Sequence, residues 1–279
     1  MNEQNHAPSG EGSGGGGPIL VIALGAVIIL AAIGLALTVK TQPVEGPPTP
    51  TPVTPATTTN GQKPSPGGAA AEVKLVQLPL DLPNPVFDGT PAEIPKGVRI
   101  DKKRHGKKRP PFMAPDGLTN VALGKTVTSS DPEPIIGSLD LVTDEDKEAL
   151  DGSYVELAPG KQWLQIDLGA EHEIFAITIW HNHMNPRVYR DVVVQVSNDP
   201  KFEKDVVTVY NNDHDNSSGF GVGEHYEYFE SDEGMLVNAM DKSYRGKKAR
   251  YLRCWSSGST SGDQNEYGEV EAWAFPLKK

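Results

Sequence analysis

The feature that most constrains this 279-residue chain is an apolar run near its N-terminus, residues 19–39, which contains no charged side chain. As an α-helix the run would be about 31 Å long, which matches a hydrocarbon core of about 30 Å. A cleaved signal peptide has a shorter apolar region behind a basic start, and a core helix of a soluble domain is seldom apolar on every side. The run therefore predicts one transmembrane helix.

The segments on either side of this predicted span are polar. Residues 1–18 contain no Lys or Arg and are predicted to be a short tail. Residues 40–73 are rich in Pro and Thr, a composition that favours an extended, disordered linker over a packed core. Lys40 alone weakly favours a cytoplasmic position for the C-terminal side. We nevertheless predict an extracytoplasmic globular part, because a long spacer is useful where the target lies beyond the membrane surface.

Charge is distributed unevenly along the remaining chain. Residues 96–109 hold eight basic residues and one acidic residue, whereas residues 110–279 hold 15 basic and 29 acidic residues. Such an acidic region is a poor general binder of nucleic acid, so no nucleic-acid partner is predicted. The basic run can bind anionic lipid or a polyanion, but charge complementarity favours its lying on the acidic region or staying solvated. Residues 74–119 are interpreted as an extended, partly basic N-terminal extension of the domain.

From residue 125 onward, apolar residues recur with a period of two, which is typical of half-buried β-strands. Val192, Val194 and Val196, for example, would share one face of a strand. Clusters of Gly, Asn, Asp and Pro separate such segments, and no long amphipathic helix is apparent. The pattern predicts an all-β fold, either an antiparallel β-sandwich or a jelly roll. The candidate strands are residues 163–169, 173–181, 189–197, 205–210, 225–230, 249–256 and 269–275.

The single cysteine, Cys254, excludes an intrachain disulfide and a zinc site with several cysteine ligands. It lies within a predicted strand and is interpreted as a structural thiol rather than a nucleophile. The sequence contains no intact spacing typical of a phosphate-binding loop, a serine hydrolase or a zinc protease. No enzymatic activity is therefore predicted.

Six short sequence blocks follow one another along the C-terminal half of the chain. They are NVALGKTVTSS (120–130), LVTDEDK (141–147), WLQIDLG (163–169), VQVSND (194–199), ARYLR (249–253) and GEVEAW (268–273). Together they resemble the discoidin, or coagulation-factor type C, family of galactose-binding-like domains. The resemblance implies an eight-stranded jelly roll over residues 120–279 that binds glycans or lipid head groups through loops at one end and usually catalyses nothing. Glu145 stands where the family usually has glycine.

Members of this family often hold a structural Ca²⁺ between an Asp-rich loop and the last strand. The resemblance implies Asp144, Asp146, Ser153 and Glu269 as its ligands in this chain. Oxygen atoms of this kind suit Ca²⁺, and the cation would relieve repulsion among clustered carboxylates. The alternative is a solvated acidic loop that holds no ion.

The segment 180–191 brings polar and aromatic residues to a predicted loop between two strands. Imidazole and guanidinium groups can donate hydrogen bonds to sugar hydroxyls or carboxylates, and an aromatic ring can stack on a sugar face. His181, His183, Arg187 and Tyr189 are therefore candidate ligand-binding residues. The same side chains can instead cap the loop and bind backbone carbonyl groups.

These patterns together predict a membrane-tethered, non-catalytic recognition module. We expect it to bind carbohydrate at the cell envelope or cell surface, as an adhesion module would. The alternative is a structural or assembly protein whose sandwich docks to another envelope protein. Glycan binding would support the first hypothesis, and a stoichiometric protein partner without glycan binding would support the second.

Overall fold

The computed structural model describes residues 73–148 and 150–278. The predicted tail, the predicted transmembrane helix and all but the last residue of the predicted linker lie outside these residues. Among the described residues, no helix has both the length and the apolar character needed to cross a membrane. The transmembrane helix stays a prediction from the sequence.

The described residues form eleven β-strands and one short 3-10 helix, Leu139–Thr143. Strands β1 and β2 form a two-stranded sheet, the other nine belong to one hydrogen-bonded network, and all the paired strands are antiparallel. The strands are β1 (Leu75–Gln77), β2 (Met113–Pro115), β3 (Thr119–Asn120), β4 (Thr126–Ser129), β5 (Val155–Leu157), β6 (Gln162–His181), β7 (Val193–Ser197), β8 (Val207–Asn211), β9 (Met235–Asn238), β10 (Lys247–Ser256) and β11 (Asn265–Ala274).

The longest strand, β6, organises the network and contributes to both layers of the sandwich. Two predicted strands, residues 163–169 and 173–181, both belong to it. Gly169 has a φ of +84° at the point where the pairing between β6 and β10 changes register, and glycine accepts this backbone conformation without strain. Strand β4 pairs with the first part of β6, whereas β9 and β11 pair with the last part.

One hydrophobic core lies between the two layers. Leu164 and Ile166 from the first part of β6 belong to the same buried cluster as Ile177 and Ile179 from its last part. The alternation seen in the sequence thus places the apolar side chains of both parts on the inner face. This all-β, antiparallel sandwich fits the predicted jelly roll.

A second, smaller core attaches the N-terminal extension to the sandwich. Leu78 and Leu118 of the extension pack in one cluster with Phe175 of β6 and Trp273 of β11. Burial of apolar surface favours this contact by roughly 25 cal/mol for each square ångström removed from water. The extension is therefore packed against the domain.

Four other predicted strands form with shifted ends, as β7, β8, β10 and β11. The predicted strand over residues 225–230 is wrong, because this segment makes only one isolated bridge, between Ile100 and Glu227. Its alternating aromatic residues line a surface cleft instead.

Cys254 lies in β10 and has no exposed surface. Burial raises the pKa of its thiol far above the ordinary value, so the sulfur stays protonated and unreactive near neutral pH.

Candidate functional site

The four residues predicted to contact a ligand lie close together, but their side chains are largely buried. His181 ends β6, and its Nδ1 lies 2.7 Å from Oε1 of Glu230. The His181 ring stacks on Tyr189 with 4.3 Å between ring centroids. His183 donates from Nε2 to the carbonyl oxygen of Lys147 over 2.9 Å, and burial lowers the pKa of its imidazole. His183 is therefore held as a neutral ring.

Arg187 and Tyr189 share one acceptor. Arg187 donates through Nη1 to Oε2 of Glu266, and the Tyr189 hydroxyl donates to the same oxygen over 2.9 Å. Burial and then the charge of Glu266 raise the pKa of Tyr189 well above 10, which keeps its hydroxyl protonated. Arg187, with 12% of its side chain exposed, is the most accessible of the four. These contacts fit the loop-capping alternative, and direct ligand contact by the four residues stays a prediction.

The same contacts hold the segment 225–230 in place. The backbone N–H of Glu230 donates to the carbonyl oxygen of Arg187 over 2.8 Å, and its carboxylate contacts His181. The hydroxyl of Tyr228 lies 3.5 Å from Nδ1 of His181. Two of the predicted ligand residues, His181 and Arg187, thus help to position one wall of a neighbouring cleft.

A surface cleft of about 370 Å³ lies between the basic run of residues 96–109, here called the strap, and the segment of residues 225–236, here called the loop 225–236, whose last two residues begin β9. The strap is attached at both ends. The backbone N–H of Arg99 donates to Oε2 of Glu227 over 2.6 Å. The guanidinium of Arg109 donates to two carbonyl oxygens of the loop, each over 2.7 Å. These bonds fix the two walls of the cleft relative to each other.

The cleft walls combine aromatic rings with hydrogen-bond donors. Tyr226 is 51% exposed, and the rings of Phe229 and His105 lie 5.8 Å apart. Nε2 of His105 is buried and has no hydrogen-bond partner. Arg104 and Lys107 also line the cleft, and within the described part of the chain neither forms a salt bridge. The volume falls within the usual range for ligand pockets, about 300–1,000 Å³.

The sequence-based candidates do not include the cleft residues. Two signals are present in the sequence, the aromatic run HYEYF at 225–229 and the basic strap. Nothing in their spacing indicates that they meet, because Arg99 and Glu227 are 128 residues apart. Only the folded chain brings these two segments together.

Three of the four residues that the family resemblance implies as calcium ligands lie in the loop of residues 144–153, and the fourth, Glu269, contacts the backbone of that loop. Oε2 of Glu269 accepts hydrogen bonds from the backbone N–H groups of Asp144 (3.1 Å) and Glu145 (3.2 Å). The hydroxyl of Ser153 donates to Oδ2 of Asp146 over 2.8 Å. Glu145 has a φ of +69°, so the turn that usually uses glycine forms here with a non-glycine residue in the left-handed region. Glu269 thus joins this loop to β11.

Glu269 is a buried carboxylate with one unpartnered oxygen atom. Its side chain is fully buried, and Oε1 has no hydrogen-bond partner. Burial, followed by repulsion from Glu271, raises the pKa of Glu269 to about 9. The ammonium group of Lys147 lies 2.9 Å from Oε1 of Glu271 and pairs with that carboxylate. The unpartnered oxygen is of a kind that suits Ca²⁺, although the carboxylates of Asp144, Asp146 and Glu269 do not all lie within 4.8 Å of one another. A bound ion would neutralise these carboxylates and hold the loop on β11.

Calcium is expected to raise the thermal midpoint of the full chain. An ion that binds only the folded state adds about 2.7 kcal/mol at 100 times its Kd, which corresponds to roughly 5–10 °C for a domain of this size. Differential scanning fluorimetry in EDTA and in CaCl₂ measures the shift. Asp146→Ala should abolish it, whereas Glu133→Ala, at an exposed acidic residue outside the loop, should retain it. A wild-type midpoint that Ca²⁺ leaves unchanged would contradict the assignment.

A different group of carboxylates is more closely spaced. Oxygen atoms of Asp191, Asp213 and Asp215 lie within 4.8 Å of one another, and among the described residues no other group of three such side chains is so close. Asp213 accepts hydrogen bonds from the backbone N–H groups of Ser217 and Ser218, and Asp215 accepts one from Ser217. The hydroxyl of Ser217 donates to Asp191. The carboxylates therefore organise a turn.

Residues 142–227 match the F5/F8 type C family model described as NedA-like, galactose-binding domain. The matched region includes the four predicted ligand-binding residues and the start of the loop 225–236. No catalytic family is indicated for this region. No curated protein matches the chain.

Solved structures with a related shape cover a little more than half of the chain. A family 89 glycoside hydrolase from Clostridium perfringens aligns with a TM-score of 0.41 and 17% identity, over 58% of this chain and 16% of the hydrolase. A chitosan-binding module from a Paenibacillus chitosanase/glucanase aligns with a TM-score of 0.37 and 19% identity, over 55% of this chain and 98% of the module. A fucose-binding module from Streptococcus pneumoniae aligns with a TM-score of 0.39 and 16% identity, over 57% and 100% of the two chains.

Proposed function

We propose that residues 120–279, together with the strap, form a non-catalytic carbohydrate-binding domain whose sugar site is the cleft. The observation that carries this proposal is the exposed ring of Tyr226 in a cleft that also holds Arg104 and His105. A sugar presents an apolar C–H face, which suits an aromatic ring, and a rim of hydroxyl groups, which suits guanidinium and imidazole donors. The match of residues 142–227 to a galactose-binding family supports the same ligand class.

The proposal includes a membrane tether. The apolar run 19–39 would be the single transmembrane helix, and the Pro/Thr-rich residues 40–73 would hold the domain away from the bilayer on the extracytoplasmic side. Many copies on one membrane would raise the effective concentration of sites, so weak binding to a single sugar could still give firm attachment to a repeating glycan.

The residues predicted from the sequence have supporting roles in this proposal. His181 and Arg187 position the loop 225–236 through Glu230, and Glu266 of β11 holds the side chains of Arg187 and Tyr189. A Ca²⁺ ion held near Glu269 would stabilise the junction between the acidic loop and β11 rather than bind the sugar. Neither site carries out a reaction.

The full chain in detergent should bind at least one carbohydrate on a glycan array. Tyr226→Ala should weaken that binding about tenfold, because an aromatic contact of this kind contributes about 1–2 kcal/mol and a factor of ten corresponds to 1.4 kcal/mol. Isothermal titration calorimetry with the selected sugar measures the change.

Tyr244→Ala is the matched control for Tyr226→Ala. Tyr244 is 44% exposed and lies in a turn that does not line the cleft, so its replacement should leave the affinity unchanged. Equal loss in both variants would contradict the site. Absence of glycan binding by the wild-type chain would contradict the function, and a stoichiometric protein partner found in its place would support the docking alternative.

A further inference from the structure

The strap is the one strongly basic segment of an otherwise acidic region. Eight of its 14 residues are Lys or Arg, whereas residues 110–279 carry a net charge of −14. Two of the eight, Arg99 and Arg109, attach the strap, because their guanidinium groups donate to carbonyl oxygens of the loop segment 223–234. The other six cations have no part in this attachment.

These six side chains form an exposed group that we name the cationic ridge. It consists of Lys96, Lys102, Lys103, Arg104, Lys107 and Lys108. Within the described residues none of the six lies within 4.0 Å of a carboxylate oxygen. The six like charges lie on one short segment of the chain, between residues 96 and 108, and an external anion would relieve the repulsion among them.

The ridge continues into the cleft. Arg104 and Lys107 belong to both, and the backbone N–H of Lys107 donates to the carbonyl oxygen of Arg104 over 3.0 Å, which fixes their spacing. The buried, unpartnered Nε2 of His105 lies between them in the sequence and lines the same cleft. A ligand that enters the cleft therefore meets the ridge directly.

The carboxylates of the cleft already have partners on the strap. Glu227 accepts the backbone N–H of Arg99, and Glu233 accepts that of Arg109. Asp101 accepts the backbone N–H of Lys103. These hydrogen bonds partly offset the negative charge of the three carboxylates. The ammonium of Lys107 donates to the carbonyl oxygen of Lys103 over 2.9 Å, and neither Arg104 nor Lys107 pairs with a carboxylate of the described residues.

From this arrangement we propose that the ligand of the cleft is an acidic polysaccharide, with one sugar ring in the cleft and the carboxylates of neighbouring rings along the cationic ridge. This inference rests on the proposed function. A polysaccharide fits better than a lipid surface, because a flat layer of head groups cannot enter a concave aromatic cleft. It also carries fewer charges per length than duplex DNA, which has one per about 1.7 Å, so the acidic domain repels it less.

The test measures binding of the full chain in detergent to polygalacturonate, polymannuronate and hyaluronate, each beside its carboxyl-reduced form. At least one acidic polymer should bind at least tenfold more tightly than its reduced form. Its affinity should fall several-fold when NaCl rises from about 50 to about 500 mM, since salt screens the carboxylate–ridge attraction. Equal affinity for the acidic and reduced forms, or no binding to any acidic polymer, would overturn the proposal.

Charge-reversal variants locate the contact. Lys102→Glu with Lys103→Glu should lower the affinity for the acidic polymer at least tenfold. Lys242→Glu with Lys248→Glu changes the net charge by the same amount at two exposed positions outside the strap and should have little effect. Equal loss in both double variants would show an effect of overall charge and overturn the proposal.

Two further outcomes separate this proposal from the proposed function. If neutral glycans bind in a Tyr226-dependent manner and acidic polymers do not, the sugar site stands and the acidic ligand is wrong. If no glycan of either kind binds, both are wrong. A third outcome would assign the ridge to membranes: the chain binds phosphatidylserine vesicles but no acidic polymer. In that case Lys102→Glu with Lys103→Glu should abolish vesicle binding, and Tyr226→Ala should leave it intact.

Discussion

Replacing Glu230 with alanine is expected to lower the free energy of unfolding by about 3–5 kcal/mol, because it breaks a fully buried polar pair. Glu230 and His181 have no exposed side-chain surface, and their contact spans 2.7 Å. The variant would leave Nδ1 of His181 buried with only the distant hydroxyl of Tyr228 nearby, at 3.5 Å. Urea unfolding followed by tryptophan fluorescence measures the loss as a lower midpoint at an unchanged slope.

Two variants test the cause of this loss. Glu224→Ala removes an exposed carboxylate from the same region and should change stability by no more than about 0.5 kcal/mol. The double variant His181→Phe with Glu230→Leu should recover most of the loss, since apolar side chains of similar volume leave neither half of the pair buried alone and cost only the long contact of the Tyr228 hydroxyl. A loss of less than about 1 kcal/mol in Glu230→Ala would contradict the importance of the pair.

Replacing Glu269 with glutamine is expected to stabilise the protein in EDTA near neutral pH. The pKa of Glu269 is raised from 4.5 to about 9 in the folded state, so the folded protein keeps a proton that the unfolded chain releases above about pH 4.5. Wild-type stability should therefore fall as pH rises through this window, by about 1.4 kcal/mol per pH unit. Glutamine does not titrate, so the variant should lose this slope and be about 3 kcal/mol more stable than wild type at pH 7.

Urea unfolding in EDTA at several pH values between about 5 and 8.5 checks the slope. The exposed variant Glu224→Gln should keep the wild-type dependence. Calcium should remove most of the difference in stability between the two proteins, because the wild-type carboxylate can hold the ion and the amide holds it poorly. Identical slopes in wild type and Glu269→Gln would contradict the raised pKa.

Much of the fold follows from patterns that are local in the sequence. The alternation around Leu164, Ile166, Ile177 and Ile179 predicts strands whose apolar faces form the core, and the structure confirms it. Two predicted strands form one continuous strand, β6, because Gly169 adopts a positive φ that bends the strand without ending it. The aromatic alternation of residues 225–230 misleads, since rings that line a cleft produce the same period of two as rings on a strand.

Candidate ligand-binding residues were harder to predict than the fold, because burial cannot be read from residue type. His181, His183, Arg187 and Tyr189 have the chemistry of sugar ligands, yet their partners lie on other elements, at Glu230, Lys147 and Glu266. Those partners lie 36 to 79 residues away along the chain. The sequence does not distinguish a residue whose hydrogen-bond donors bind other parts of the protein from a residue whose donors face solvent.

The sequence by itself determined the all-β class, the acidic domain with its basic strap, and the apolar run that predicts a membrane span, because each depends on composition or on short periodic patterns. Only the tertiary structure decided that the strap meets the loop 225–236 and that His181 and Arg187, two of the predicted ligand residues, contact this loop through Glu230. Contacts between distant segments depend on the packing of the whole chain, which no local pattern of residues specifies.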